Sequence, residues 1–291
     1  MPSLTAPGEL KELLARHGFR FSKSLGQNFL IDGNVLHKII EGAGVTKQDK
    51  ILEIGPGVGT LTQALARKAG EVTAVEIDRA LFPILEETLK GCSNVRVLRG
   101  DILKLDLNEL IREQFQGSPF KVVANLPYYI TTPIIMRFLE EEQPFVSITV
   151  MIQKEVAERM AARPGTREYG SLSTAVQFFT CPRILARVPA NAFLPPPKVG
   201  SVVISLERRE KPAVAVNSRA DFFRVSRAAF CQRRKTLLNS LSASGLTDMD
   251  KGTWKKTLQE LGIDPMRRGE TLTLEELARL SNYVSHSLRV E

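Results

Sequence analysis

Short apolar runs alternate with amphipathic segments between residues 50 and 152 of the 291-residue chain. Strand, helix, strand in regular alternation predicts a mostly parallel sheet with helices on both faces. After two more helical segments, two apolar runs follow with only a proline-rich stretch between them, which predicts an antiparallel pair at one sheet edge. The seven predicted strands are 50–54, 71–77, 94–99, 120–124, 145–152, 183–188 and 199–206.

The pattern of the chain changes after residue 206. The charged, proline-containing stretch 207–219 is typical of a linker, and no strand pattern follows it. Helix-like segments are predicted at 221–241 and 253–261, and the capping box "TLEE" at 273–276 predicts the start of a third. We therefore predict an α/β domain at 1–206, with an N-terminal arm at 1–48, and a small α-helical domain at 207–291.

Composition restricts the kinds of site that the chain can build. The three cysteines are far apart with no Cys-x-x-Cys pair, which argues against a disulfide framework and against a zinc site. The three histidines lack metal-ligand spacing, so no metal is expected. No apolar run has the length of a membrane span, and the N-terminus lacks the apolar core of a signal peptide. We expect a cytoplasmic protein without a membrane association.

Polar residues or glycines follow the first three predicted strands. The turn "ILEIGPGVGTLT" (51–62) places Gly55 and Gly57 in a G-x-G-x-G pattern, which differs from the G-x-G-x-x-G of NAD sites. Glu76 ends the second strand, where an acid can accept both hydroxyls of a ribose. Asp101 follows the third strand and would accept from an adenine amino group; capping of the next helix is the alternative, and both roles are compatible. Because such residues meet at the carboxyl edge of a parallel sheet, they predict a nucleoside-containing ligand.

The fourth strand runs into "ANLPYYITTPI" (124–134). A tight turn is the simpler explanation, and a pocket for a flat base with an amino group is the other. In such a pocket the oxygen of Asn125 and a backbone carbonyl of the Leu126–Pro127 turn would accept the two N–H bonds of the amine. The Tyr128 ring would stack on the base, an interaction worth roughly 1–3 kcal/mol. Positioning then supplies most of the catalysis, and no strong base is required.

The pattern Glu53-x-Gly-x-Gly-x-Gly, followed by Glu76, Asp101 and then Asn-Leu-Pro-Tyr, resembles the S-adenosylmethionine-dependent methyltransferases that modify exocyclic amines of bases. More narrowly, five motifs resemble the ribosomal RNA adenine dimethyltransferases: "KSLGQNFLID" (23–32), "NLPYYITTPI" (125–134), "QKEVAERM" (153–160), "FLPPPKVGS" (193–201) and "RAAFCQRRKTLLNSL" (227–241). The resemblance extends from about residue 21 to about residue 280. It implies a Rossmann-like, seven-stranded class I methyltransferase sheet with a C-terminal helical domain. It also implies dimethylation of N6 of two adjacent adenosines near the 3′ end of small-subunit rRNA, with a role in ribosome biogenesis.

The resemblance further implies roles for single residues. Asn28 and Leu30 would contact the cofactor from a segment that folds over it, with Asn125 as a further contact. Phe193 would stack on the base opposite Tyr128. The alternatives are that the segment around residue 28 is a structural arm and that Phe193 anchors its loop in the core. Tyr129 is assigned to packing.

Positive charge is concentrated after the predicted sheet. Residues 207–240 contain nine Lys or Arg against three acids, so this stretch carries +6 of the formal net charge of +8. A solvated helix surface is one explanation, and contact with RNA phosphates is the one we favour in a chain that also has a base pocket. The partner would be small-subunit rRNA or a small-subunit precursor, bound by a monomer. Predicted RNA contacts are Arg224, Arg227, Arg233, Arg234, Lys235, Arg267 and Arg268, with Arg163 and Arg167 on a mobile rim loop.

Two alternative functions stay open. The related resistance enzymes methylate one large-subunit rRNA adenine, but "FLPPPKVGS", the helical tail and Leu126 in place of isoleucine favour the small-subunit enzymes. A non-catalytic RNA-binding assembly factor would share the fold. The set Gly55, Glu76, Asp101 and Asn125 argues against such a factor, because a protein without a cofactor has no need for all four.

Overall fold

The computed structural model describes residues 3–22 and 24–290, so Lys23 of the "KSLGQNFLID" motif lies outside the described residues. The strands are β1 (Phe29–Leu30), β2 (Lys50–Ile54), β3 (Glu71–Glu76), β4 (Val95–Arg99), β5 (Phe120–Asn125), β6 (Phe145–Gln153), β7 (Thr180–Val188), β8 (Phe193–Leu194) and β9 (Ser201–Arg208). The α-helices are α1 (Pro7–Arg16), α2 (Gly33–Gly42), α3 (Thr60–Lys68), α4 (Phe82–Thr88), α5 (Leu107–Phe115), α6 (Thr131–Glu140), α7 (Lys154–Met160), α8 (Ser171–Phe179), α9 (Arg219–Phe230), α10 (Leu237–Ser242), α11 (Lys251–Glu260) and α12 (Leu274–Val290). None of these helices combines the length and the apolar character needed to cross a bilayer.

Seven strands form one sheet in the order β4-β3-β2-β5-β6-β9-β7. The pairs β4–β3, β3–β2, β2–β5 and β5–β6 are parallel, and β9 runs antiparallel to β6. This confirms the predicted sheet, with every predicted strand end within three residues of the observed one. The chain order changes direction between β2 and β5, and open α/β sheets bind ligands at the carboxyl ends of strands beside such a switch point.

The sheet is stabilised by apolar side chains that it buries against helices. Ile51, Val72 and Val123 are essentially inaccessible to solvent and belong to one cluster with side chains of α2 and α3. Burial of each such side chain contributes about 1.5–3 kcal/mol. The core therefore holds the strand ends of β2, β3 and β5 in fixed positions.

The chain divides into two compact units, one formed by 1–157 with 182–208 and the other by 158–181 with 209–291. The division after Arg208 lies two residues beyond the predicted boundary at 206. Segment 158–181 differs from the prediction, because it groups with the C-terminal unit. The reason is aromatic packing: the Phe178 ring contacts the rings of Phe222 and Phe223 at centroid distances of 4.8 and 5.4 Å.

The stretch predicted as a linker is hydrogen-bonded within the second unit. Arg209 N donates to Phe179 O at 2.9 Å, and Ala213 N donates to Phe178 O at 2.9 Å. Val214 and Val216 pack against the apolar cluster of the same unit. Residues 209–219 are therefore part of the second unit and do not serve as a free linker, while 207 and 208 end β9 in the first unit.

The helix predicted at 221–241 is two helices, α9 and α10, separated by a turn. Thr236 has extended backbone angles (φ −65°, ψ 157°), and its hydroxyl accepts from Asn239 N to cap α10. Leu237 N donates to Arg267 O at 2.6 Å instead of continuing α9. Residues 233–235, expected within a helix, therefore lie on the turn. The predicted capping box is confirmed, since Thr273 N donates to Glu276 Oε2 and Glu276 N donates to Thr273 Oγ1.

Candidate active site

A cleft of about 250 Å³ opens where β2, β3, β4 and β5 end. All predicted catalytic and cofactor-binding residues except Phe193 line it, which brings together positions up to 100 residues apart. They are Asn28, Leu30, Gly55, Gly57, Glu76, Asp101, Asn125, Leu126, Pro127 and Tyr128. The carboxyl edge of the sheet thus collects these residues as the strand-end argument predicts.

The turn after β2 presents bare backbone to the cleft. Gly55 and Gly57 have φ angles of +68° and +61°, in the left-handed region that residues with a Cβ rarely adopt. A Cβ atom at Gly57 would also lie 3.1 Å from the Phe29 ring. A side chain at Gly57 would therefore strain the backbone and push against the segment that carries β1.

Glu76 is a buried carboxylate with a fixed orientation. Its Oε2 accepts from Gly57 N at 3.2 Å, and its Oε1 accepts from Asp78 N at 2.8 Å. Burial raises the pKa of Glu76 above its usual range, and the backbone N–H groups oppose this shift. Asp78 caps the following 3-10 turn by accepting from Ala80 N at 3.0 Å.

Asp101 stabilises a turn and caps no helix. Its Oδ1 accepts from Leu103 N at 3.0 Å, and Lys104 Nζ lies 3.8 Å from its Oδ2. The next helix, α5, begins at Leu107 and is capped by Asp106. The expectation that Asp101 N-caps the next helix is therefore wrong, and its carboxylate remains at the wall of the cleft.

The amide of Asn125 is oriented by the N-terminal arm. Asn125 Nδ2 donates to the backbone oxygen of Asn28 at 3.0 Å, and Asn28 Nδ2 donates to Gly26 O at 2.9 Å. A carbonyl oxygen only accepts, so the nitrogen of the Asn125 amide must face Asn28. The oxygen Oδ1 consequently takes the other side of the amide and is available as an acceptor.

The Leu126–Pro127 turn leaves one carbonyl oxygen available. The oxygen of Pro127 accepts from Ile130 N at 3.3 Å and from Thr131 Oγ1 at 3.1 Å. Leu126 N donates to Met151 O at 3.1 Å, whereas the Leu126 carbonyl oxygen accepts no hydrogen bond from the residues described. Asn125 Oδ1 and Leu126 O are therefore two acceptors in consecutive residues at the cleft wall.

The Tyr128 ring is held in place through its hydroxyl. Tyr128 Oη and Ser201 Oγ are 2.7 Å apart and share a hydrogen bond. Burial raises the pKa of the Tyr128 hydroxyl, so the hydroxyl stays protonated at neutral pH. The ring thus presents a fixed neutral surface.

Phe193 lies outside the cleft. Only 2% of its surface is exposed, because β8 pairs with β1 at Leu30 and the side chain belongs to the same buried apolar cluster as Ile39 and Val203. The expectation that Phe193 stacks on a base opposite Tyr128 does not hold in this conformation, and the alternative, a core anchor, describes it. Tyr129 differs from its prediction in the opposite direction. The sequence assigns it to packing, whereas in the structure it is 56% exposed and lines the cleft.

Two further residues line the cleft that the sequence-based prediction does not name as site residues, although Glu53 begins the pattern that carries the resemblance. Ile77 is 47% exposed and follows Glu76 at the cleft wall. Glu53 is 1% exposed and also lines the cleft. A charged residue inside the apolar strand "KILEI" is the signal that points to Glu53, since acids are almost never fully buried without a reason.

The predicted RNA-contacting residues fall into two groups. Arg267 is structural: its guanidinium donates to both carboxylate oxygens of Glu276 and to the hydroxyl and carbonyl oxygens of Thr271. Arg224 is anchored to Asp221 and to Leu246 O. Arg227, Arg234 and Lys235, in contrast, are exposed and have no ion-pair partner within the described part of the chain.

The loop 163–170 is fixed against the basic turn of the second unit. Gly165 N donates to Glu270 O at 2.7 Å, and Tyr169 is fully buried with its ring against Phe230. Arg233 donates to Arg167 O, so the expectation of a mobile loop is not met. Six exposed basic residues on these neighbouring loops form what we call the basic loop cluster: Arg163, Arg167, Arg233, Arg234, Lys235 and Arg268.

Within 3–22 and 24–290, no group of three or more His, Cys, Asp or Glu side chains is placed to hold a metal ion.

The sequence model of the ribosomal RNA adenine dimethylase family matches residues 18–285. The chain is 52% identical to ribosomal RNA small subunit methyltransferase A of Alkaliphilus oremlandii over 288 residues, which cover 99% of this chain and 100% of that protein.

Two solved structures resemble the chain over most of its length. A dimethyladenosine transferase from Plasmodium falciparum has a TM-score of 0.74 and 26% identity, covering 90% of this chain and 98% of its own. The 23S rRNA methyltransferase ErmE has a TM-score of 0.69 and 26% identity, covering 89% of this chain and 100% of its own. The much higher identity to the small-subunit enzyme favours the small-subunit interpretation over the large-subunit alternative. The chain belongs to the ribosomal RNA adenine dimethylase family.

Proposed function

We propose that this chain dimethylates N6 of two adjacent adenosines near the 3′ end of small-subunit rRNA, and that its cleft receives both the cofactor and the target base. As a member of its family, the chain is a ribosomal RNA adenine dimethyltransferase that uses S-adenosylmethionine. The five motifs and the small-subunit relative support the finer assignment. The protein would act as a monomer in the cytoplasm, on small-subunit rRNA or on a small-subunit precursor.

The residues of the cleft fit S-adenosylmethionine. The Glu76 carboxylate accepts two backbone N–H groups and keeps lone pairs for two ribose hydroxyls. Asp101 adds an acceptor for an adenine amino group, and Ile77 adds apolar surface at the same wall. Gly55 and Gly57 present backbone without side chains to the cleft, and a Cβ atom at Gly57 would lie 3.1 Å from the Phe29 ring. Asn28 and Leu30 line the cleft from the arm and would cover the bound cofactor.

The turn after β5 would hold the target base. S-adenosylmethionine supplies an electrophilic methyl group when bound. Asn125 Oδ1 and Leu126 O accept the two N–H bonds of the adenine amine, which localises the lone pair on its nitrogen. Pro127 fixes the backbone of the turn. The Tyr128 ring, held by Ser201, stacks on the base.

The basic loop cluster would bind RNA phosphates. Its six side chains are exposed on neighbouring loops, which suits recognition of folded RNA through its backbone. Arg227 adds an exposed positive charge on α9. Arg224 and Arg267 are less exposed and are held by hydrogen bonds within the second unit, so they are not assigned to RNA. Arg233 and Arg268 also lie near a carboxylate, that of Glu270, at 4.0 and 3.9 Å, but more than half of each side chain is exposed.

The observation that carries the proposal is the hydrogen bond from Asn125 to Asn28, because it leaves the amide oxygen to the substrate. The experiment is mass spectrometry of small-subunit rRNA from a strain that lacks this gene. Two adjacent dimethyladenosines should be absent, should return with the wild-type gene, and should stay absent with Asn125→Ala. Full restoration by Asn125→Ala would contradict the role of Asn125, and unchanged small-subunit rRNA in the deletion strain would contradict the substrate.

A further inference from the structure

Residues 100–106, which we call the Asp101 loop, connect β4 to α5 without a helix or a strand. Residues 100–103 of this loop line the cleft. Within the loop, Asp101 O accepts from Lys104 N and Leu105 N at 2.8 and 3.0 Å. Loops are more mobile than the elements that they connect. The position of the Asp101 carboxylate therefore depends on what fixes the loop from outside.

One side chain from outside the loop holds its backbone at two points. The Arg137 guanidinium on α6 donates from Nη1 to Ile102 O and from Nη2 to Leu105 O, both at 2.6 Å. Its third nitrogen, Nε, donates to Glu141 Oε1 at 2.5 Å. A planar guanidinium presents its N–H donors in a rigid fork, so three acceptors leave the group with one orientation. Arg137 therefore clamps the Asp101 loop to α6.

The helix that carries Arg137 is itself fixed. Ile134 and Phe138, on either side of Arg137 in α6, are at most 2% exposed. The helix begins at Thr131, whose hydroxyl donates to Pro127 O, so α6 continues directly from the turn proposed for the target base. The clamp therefore joins the wall proposed for the cofactor to the turn proposed for the base.

An ordinary ion pair on a helix surface does not account for this arrangement. Arg137 and Glu141 are four residues apart on α6, and such pairs contribute little stability. The two bonds to backbone carbonyls of another segment are not needed for the pair. In the described part of the chain Arg137 does not line the cleft, so an effect of Arg137 on a ligand must pass through the loop.

We propose that Arg137 is a positioning residue for the cofactor, which holds the Asp101 loop against α6 so that the Asp101 carboxylate faces the adenine amino group. The inference rests on the proposed cofactor cleft. Without the clamp the loop is less ordered in the free protein, and cofactor binding has to order it. That cost lowers cofactor affinity, whereas the turn that holds Asn125 keeps its geometry.

The test combines calorimetry with S-adenosylmethionine and methylation kinetics on small-subunit rRNA, both with full-length Arg137→Ala. Affinity should fall at least about fivefold, because hydrogen bonds from a charged group are lost. The KM for S-adenosylmethionine should rise by a similar factor, and kcat at saturating cofactor should stay within about twofold of wild type. A fall in kcat with unchanged KM would overturn the inference, because a smaller folded fraction gives that pattern.

Asp101→Ala distinguishes the inference from the cleft on which it rests. If the clamp acts through Asp101, Arg137→Ala should cost less than about twofold in affinity in the Asp101→Ala background. The same loss in both backgrounds would overturn the inference. Weaker binding by Asp101→Ala together with wild-type binding by Arg137→Ala would overturn the inference alone. Wild-type binding by Asp101→Ala would overturn the proposed cofactor role of Asp101 and the inference with it.

Arg112→Ala is the matched control and should bind S-adenosylmethionine as wild type does. Arg112 on α5 lies 3.8 Å from Glu109, three residues away, and does not line the cleft. Should Arg137→Ala not fold, Arg137→Lys decides, because lysine keeps the charge and the alkyl stem but has no fork. The affinity of Arg137→Lys should fall at least about threefold, and wild-type affinity would overturn the inference.

Discussion

Asn125 donates its side-chain N–H to the backbone carbonyl of Asn28 across 97 residues of sequence, at 3.0 Å. This bond joins the end of β5 to the N-terminal arm and sets the direction of the Asn125 oxygen. The same arm packs Phe29 against the glycine turn. The arm therefore shapes both the end of the cleft proposed for the cofactor and the end proposed for the base.

Glu76→Ala should weaken S-adenosylmethionine binding by at least about tenfold, because hydrogen bonds from two ribose hydroxyls to a carboxylate would be lost. Calorimetry measures the affinity. Glu71→Ala, at the opposite end of β3, is the matched control and should bind as wild type does. Equal affinity of wild type and Glu76→Ala would remove Glu76 from the cofactor site.

Gln27→Ala should loosen the arm over the cleft. Gln27 Nε2 donates to Asp78 Oδ2 at 2.6 Å, and Ser22 N donates to Gln27 Oε1 at 2.8 Å. Loss of a hydrogen bond to a carboxylate costs about 1.5–3 kcal/mol, so S-adenosylmethionine affinity should fall at least about tenfold. Gln114→Ala, which removes a side chain that does not line the cleft, should leave affinity unchanged. An unchanged dissociation constant for Gln27→Ala would show that the arm does not depend on this contact.

The affinity for RNA should depend on Arg233, Arg234 and Lys235. Their triple replacement by Ala should lower RNA affinity and reduce the slope of log affinity against log salt by up to about 2 units, because fewer counterions are released. Filter binding across a salt series measures both quantities, and cofactor binding should not change. Wild-type affinity and slope in the triple variant would mean that these residues only solvate the turn.

Arg267 should stabilise the folded second unit and should not contribute to RNA affinity. Arg267→Ala removes the paired hydrogen bonds to Glu276 and should lower the free energy of unfolding by about 2 kcal/mol. Arg234→Ala, a matched replacement of an exposed arginine, should stay within about 0.5 kcal/mol of wild type. Denaturant unfolding measures both variants. A fully stable Arg267→Ala protein would contradict the structural assignment.

Glu53 should make stability depend on pH. The folded-state pKa of about 8 lies above the ordinary value of 4.5, so the folded state binds more protons than the unfolded state between these values. The stability that this group contributes is therefore fully present below pH 4.5. Above that pH it falls by about 1.4 kcal/mol per pH unit, and it is lost once the pH has risen through 8. The free energy of unfolding of wild type, minus that of Glu53→Gln, should fall by several kcal/mol between pH 5 and 8. A difference that is constant with pH would show that the Glu53 carboxyl group keeps its ordinary pKa in the folded protein.

Sequence patterns predicted the sheet and most of the cleft, because both depend on local signals. Apolar runs locate the strands, and the rule that parallel strands end at one edge brings Gly55, Glu76, Asp101 and Asn125 together. Phe193 was misplaced because its environment depends on the pairing of two-residue strands at Leu30, far away in the chain. No periodicity in a two-residue strand reveals such a partner.

Contacts between residues far apart in the chain also limit the prediction of the second unit. The break between α9 and α10 depends on Leu237 N finding Arg267 O, and the role of Arg267 depends on Glu276. Both contacts are tertiary, whereas a charge count treats every arginine alike. The position of segment 158–181 in the chain predicts that it belongs to the first domain. The packing of Phe178 against Phe222 places it in the second unit.

The central claim is that Asn125 orients the target amine, and methyl transfer by Asn125→Ala tests it most directly. Tritiated S-adenosylmethionine and small-subunit rRNA measure turnover, and calorimetry on the same protein measures cofactor affinity. We predict that turnover falls at least about a hundredfold, equivalent to roughly 3 kcal/mol of transition-state stabilisation, while cofactor affinity stays within a few-fold of wild type. Wild-type turnover by Asn125→Ala would contradict the account.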